Sequence, residues 1–166
     1  MQVQTTKSNN GIEIDTATQI QVLLPTEIAH IAVIASRGMR VLAACTTPNV
    51  LLPTIRTLSR EISEWYDGLP QIAKAHKLSQ TPWDGPKVCL AYVHLNHLGA
   101  ITLMFRRTLS VYKLKTGGQK HILKPAERSQ LASIFTDGAM AAKQSAQILY
   151  LFLDEQAGIR HCWAVM

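Results

Sequence analysis

His94 and His97 stand three residues apart. On a helix that spacing brings two imidazoles to one side, where they can hold a metal or ligand or move a proton. Cys89 lies about a turn and a half earlier. A closed metal site needs further donors, and the neighbouring sequence has no carboxylate to supply one, so the two rings read as a packed or hydrogen-bonded pair and no metal is assigned. Arg106 is on the same stretch and is suited to orienting an anion, although nine residues of helical rotation set it on a different face from His97. Trp65, with Tyr66, Trp83 and Trp163, offers ring surface to a ligand, and core filling is the plainer use of such rings. Trp65, His94, His97 and Arg106 are therefore the candidate ligand-pocket residues.

No nucleophile can be named. A Cys/His dyad would need Cys89 or Cys162 to meet a base through the fold, and His161-Cys162 offers only adjacency. Gly117-Gly118 is followed by Gln119-Lys120-His121, without the spacing or preceding strand of a phosphate cradle. A serine elbow flanked by glycines and an HExxH pair are both missing from the sequence. Glu13 with Asp15, and Asp154 with Glu155, are near neighbours rather than a separated acid and base, and they read as solvated. The catalytic assignment is empty, no cofactor is expected, and the chain reads as a non-enzyme.

The elements that must position these residues are helical, because apolar residues recur at spacings of three and four between Pro and Gly punctuation. A first helix over 26–44 follows Pro25 and presents Ile28, Ile31, Ala35, Met39 and Leu42, with Gly38 weakening its middle. A second begins at Pro53 and ends near Asp67, carrying Ile55, Leu58, Ile62, Trp65 and Tyr66, with Gly68 as the left-handed residue after its end. After a proline-rich loop around Pro82 and Pro86, a third runs over 87–112 and is apolar around most of its circumference, which places it inside a bundle. A fourth opens at Pro125 and reaches towards Ala157. Its expected core positions are Leu131, Phe135, Gly138, Ala142, Ser145, Leu149 and Phe152, and Thr136-Asp137-Gly138 is a point where it could kink. The expected fold is all-α: an irregular antiparallel bundle of about four to six helices, with 1–20 as a flexible arm and 21–166 as one helical domain.

Composition is consistent with this. Of 166 residues, 47% are hydrophobic and 17% charged, enough for a core without a staple. Three scattered cysteines do not make a disulfide framework and make a reducing, intracellular compartment the default. The first twenty residues lack the apolar stretch of a signal peptide. Between 20 and 45, Pro25, Glu27, His30, Arg37 and Arg40 oppose a membrane span, so no membrane is expected. The net charge of +6 concentrates in Arg106, Arg107, Lys113, Lys115, Lys120, Lys124 and Arg128, a solvated basic edge.

Two stretches in this order resemble the middle homology region of fungal binuclear zinc-cluster transcription factors. The first is Leu58-Ser59-Arg60-Glu61-Ile62-Ser63-Glu64-Trp65-Tyr66-Asp67-Gly68-Leu69-Pro70, similar to a family helix ending in Trp and then Leu-Pro. The second, His94-Leu95-Asn96-His97-Leu98 through Arg106, is similar to the family's His-Leu helix running to an Arg. Ala141-Ala142, Ile148-Leu149 and Cys162-Trp163 resemble the segment that follows. The chain departs from the pattern where the family has an aromatic in place of His97 and a proline in place of Arg107. It also lacks the six closely spaced cysteines of the family's DNA-binding module, so no direct sequence-specific DNA binding is expected.

The resemblance implies a non-catalytic regulatory or interaction domain in transcription regulation, with a protein partner or small apolar effector; a homo-dimer is a further option, because apolar surface on the fourth helix and the tail calls for a cover. The alternative is a repurposed small helical enzyme or ligand carrier of fungal secondary metabolism.

Overall fold

The structure is a computed structural model and describes residues 16–79, 85–115 and 124–154. Among these residues the chain forms four α-helices and two short 3-10 turns, with no strand: α1 (Thr16–Ala44), α2 (Pro48–Gly68), the turns Gln71–Ala73 and Ala75–Ser79, α3 (Gly85–Lys115) and α4 (Pro125–Asp154). The fold class is all-α. The other three helices all pack against α3, and α2 also packs against α1.

Helix α1 starts earlier than its proline predicts. Pro25 removes one intrahelical donor but does not end the helix, since Leu24 just before it is buried in the core and holds the preceding turn in place. The expected arm is thus helical from Thr16, and its residues 1–15 lie outside the described residues. At the other end of α1 the helix's last carbonyls are taken up from a distance. Arg107 of α3 donates Nε to the Leu42 carbonyl at 2.8 Å and its guanidinium Nη2 to those of Ala43 at 2.9 Å and Cys45 at 2.8 Å. A cation among the C-terminal carbonyls adds to their hydrogen bonding, the Leu42 carbonyl also accepting the Cys45 N–H at 3.1 Å, and complements the helix dipole.

Helix α2 begins one turn before Pro53, with Pro48 as its first residue, where a missing N–H costs nothing. Its expected stripe is the buried one: Ile55, Leu58, Ile62 and Trp65 are in the core and Tyr66 packs against it. Gly68 is the last helical residue and not a left-handed one; the following Leu69 is extended. The Leu69 N–H caps the Tyr66 carbonyl at 3.2 Å, and the Lys74 ammonium adds bonds to the Tyr66 carbonyl at 2.5 Å and the Asp67 carbonyl at 3.1 Å. The outward pair Arg60 and Glu64 lies at 3.8 Å and is exposed, while Arg37 pairs with Glu61 to tie α1 to α2.

In α3, Leu90, Val93, Ala100, Met104 and Val111 are buried, and so are His94 and Thr108. Thr108 returns its hydroxyl to the Met104 carbonyl at 2.8 Å, so burial leaves that donor satisfied. Helix α4 opens with Pro125, and the Glu127 carboxylate accepts from the Lys124 backbone N–H at 2.9 Å, half of a capping box. It passes through Thr136-Asp137-Gly138 as one helix.

The core face of α4 differs in part from expectation. Leu131, Gly138 and Phe152 face inward as expected, but Ile134, Ala141 and Ile148 are buried with them, while Phe135 is only partly buried and Ala142 and Leu149 are exposed. Both readings share the heptad through 131, 138, 145 and 152 and differ in the flank that closes on α3. Gly138 lies on the heptad that both readings share. A Cβ there would lie 2.5 Å from Cβ and Cγ of Phe105, so α4 meets α3 at its glycine.

Candidate functional site

The end of α2 and the first half of α3 bring four rings together. Tyr66 stacks on His97 with centroids 4.4 Å apart and planes 18° from parallel, and it meets His94 edge-on at 5.9 Å. Trp65 approaches His97 at 5.9 Å and donates its indole N–H to Glu27 of α1 at 2.8 Å. The cluster therefore joins three helices. Lys74 lies over the Tyr66 ring, 4.9 Å from its centroid, while its ammonium holds the α2 carbonyls.

Burial lowers both imidazole pKa values to about 4. For His94 burial is the largest cause, with the positive charges of His97 and Lys74 acting the same way and a hydrogen bond to the Ala73 backbone acting against them. For His97 the cause is burial. Both rings are neutral at neutral pH, each with one donor and one acceptor nitrogen. His94 is only 2% exposed, and its Nε2 has no hydrogen-bond partner.

Beside this cluster a cleft of about 410 Å³ opens between α2, α3 and α4. Its floor and walls are apolar, with Ile55 and Ile62 from α2, Leu98, Ile101 and Met104 from α3, and Ile134 and Met140 from α4. Ser59, Ser63, Asp67, His97, Asp137 and Gln144 place polar groups along it. Ser59 directs its hydroxyl to the Met104 sulfur at 3.6 Å across the gap. A concave, mostly apolar space of this size with a few convergent polar groups is the ordinary form of a small-molecule site.

The four sequence candidates separate. His97 lines the cleft, with Tyr66 beside it. Trp65 and His94 do not line it: they stand behind His97, one held by Glu27 and the other buried. Arg106 is exposed and lines a different, shallower groove of about 750 Å³ between α1, α3 and α4, walled by Ala32, Ala35, Ser36, Ala142, Ser145 and Ala146. Arg106 and the histidines thus do not share a site.

Cys89 is half-buried, and burial raises its thiol pKa, which disfavours the thiolate a nucleophile needs. Cys162 lies outside the described residues. Among the described residues no three His, Cys, Asp or Glu side chains group closely enough to hold a metal.

Ile101, Met104 and the two aspartates carry no sequence signal of a site. Ile101 and Met104 look like any buried-helix residues, and Asp137 stands out only as a point where α4 could kink.

Two helical stretches, Val22–Ala44 and Lys87–Lys113, are long and apolar enough to cross a membrane, with mean hydropathies of 1.2 and 1.5. The second is the helix against which the other three pack, a position that requires the same apolar character. Comparison of the chain with protein-family models, with curated proteins and with solved structures returned no match.

Proposed function

We propose that this chain is a non-catalytic regulatory domain, similar to the middle region of fungal zinc-cluster transcription factors, that binds a small effector in the cleft between α2, α3 and α4. The cleft carries the reading: an apolar, ligand-sized space in contact with three helices can couple an occupant to their relative positions. The two stretches that resemble the family, 58–70 and 94–106, supply two of its walls. The finer architecture belonging to this reading is an irregular antiparallel bundle of about four to six helices in one domain. It acts in the nucleus or cytoplasm, away from a membrane and without reading DNA itself.

The enzyme or carrier alternative relied on His94, His97 and Arg106 acting together, and Arg106 opens onto the other groove. A protein partner, including a second copy of the chain, has the exposed apolar residues Met140, Leu149, Tyr150 and Leu153 of α4 to cover. The effector reading is tested by a thermal-shift screen of the full chain against a small-molecule library. At least one compound should raise the melting midpoint, and Ser59→Phe, which fills the cleft, should abolish the rise. Stabilisation that survives Ser59→Phe would place the site elsewhere.

A further inference from the structure

The side chains lining the cleft include two carboxylates and no lysine or arginine, in a chain whose net charge is +6. The other acids whose side chains are described are engaged. Glu61 pairs with Arg37 and Glu64 with Arg60, Glu27 holds the Trp65 indole and lies 3.8 Å from His30, and Glu127 caps α4. Asp67 and Asp137 form no ion pair among the described residues; Asp137 accepts only the Ser133 hydroxyl, at 3.2 Å. Of the two cations nearest to Asp67 in sequence, Arg60 pairs with Glu64 and Lys74 directs its ammonium to the Tyr66 and Asp67 main-chain carbonyls.

The two aspartates stand apart along the cleft. Tyr66 stacks on His97, which sets Asp67 at that end of α3, whereas Gly138 abuts Phe105, which sets Asp137 near Met104. Seven residues of helix separate His97 from Met104, about 10 Å. Between them the floor is Leu98 and Ile101, and Ile62 of α2 and Ala141 of α4 also line the cleft.

We propose that the cleft takes an elongated organic cation, an apolar body bearing a protonated amine, with the body on the α3 floor and the ammonium at Asp67 or Asp137. The proposal rests on the effector-binding reading and narrows it to one ligand class. An apolar chain gains by leaving water for the cleft, and an amine beside either aspartate meets a carboxylate that has no ion pair among the described residues. A carboxylate ligand would meet the same groups as repulsion. Both aspartates are exposed, so each contributes a modest, salt-sensitive preference and not the bulk of the affinity.

Isothermal titration of the full chain with octylamine, octanol and octanoate, which share one apolar chain and differ in head charge, tests this. At low salt octylamine should bind about threefold tighter than octanol and about tenfold tighter than octanoate, with the gap closing as salt is added. Asp67→Asn and Asp137→Asn, isosteric changes at exposed positions, should each loosen octylamine about threefold at most and leave octanol unchanged. Octanol binding without any preference for the amine, or an amine preference untouched by both substitutions, overturns the proposal and leaves the effector reading standing. Failure of all three probes to bind overturns both. Capture of a lysine-bearing helical peptide in place of octylamine would assign the cleft to a protein partner and overturn the small-ligand form.

Discussion

At the residue scale, His97 and Arg107 both have structural work in this chain. His97 stacks on Tyr66 as an aromatic ring would, neutral in its buried setting. His97→Phe should therefore keep the stability within about 1 kcal/mol of the parent, because one stacked ring replaces another. Arg107 closes the C-terminus of α1 through three carbonyls. Arg107→Ala should cost about 2–3 kcal/mol in urea unfolding, Arg107→Lys should recover less than half of that, and Arg107→Pro should cost more than either, since it also breaks α3.

The histidines also set a pH dependence. Their folded pKa values, about 4, lie below the ordinary value of 6.5, so between those limits the unfolded chain binds more protons than the folded one. Stability is then full above about pH 6.5 and falls as pH drops towards 4, by roughly 3 kcal/mol for the buried His94 alone. Urea midpoints measured from pH 4 to pH 8 should rise and then level off. His97→Phe should flatten part of the slope.

At the element scale, two glycines inside helices are expected to behave oppositely. A Cβ on Gly38 would meet the Leu58 methyl groups at 3.4 and 3.5 Å, ordinary contact with the movable end of a side chain. Gly38→Ala should raise stability by about 0.5–1 kcal/mol through backbone entropy. On Gly138 the same atom would meet Phe105 Cβ and Cγ at 2.5 Å, close to the α3 backbone and unable to turn aside. Gly138→Ala should lower stability by about 1–3 kcal/mol despite its better helix propensity, because α4 must move off α3. Thermal melts of the two variants beside the parent read both signs. The helices themselves were visible from the sequence: the stripe of α2 and the unbroken apolarity of α3 gave their type, since a period of three to four cannot be satisfied by a strand. Their boundaries were less visible. Prolines at 25 and 53 look like helix starts, and only the burial of Leu24 and of Leu51 and Leu52 shows that the preceding turns are retained.

At the scale of the whole molecule, α3 is the common partner of the other helices, so none of them keeps its buried face without it. Unfolding should then be one cooperative transition, with far-ultraviolet circular dichroism and tryptophan fluorescence giving the same urea midpoint. Separate midpoints would show that α1 or α4 detaches first. The same arrangement leaves the open spaces. α3 has neighbours on three sides, and the cleft and the Arg106 groove are the gaps on either side of α4.

By itself the sequence determined that this chain is all-α, that α3 is the innermost helix and that Trp65, Tyr66 and the two histidines belong to well-packed helical faces. Those properties follow from the periodicity of single segments, which needs no knowledge of neighbours. Tertiary structure alone decided that His97 joins a cleft while Arg106 leaves it, that Arg107 ends a helix more than sixty residues away, and which flank of the 131, 138, 145 and 152 heptad is buried. Each of these depends on how closely one backbone approaches another. At Gly138 that approach is set by the absence of a single carbon atom, which no helical period records.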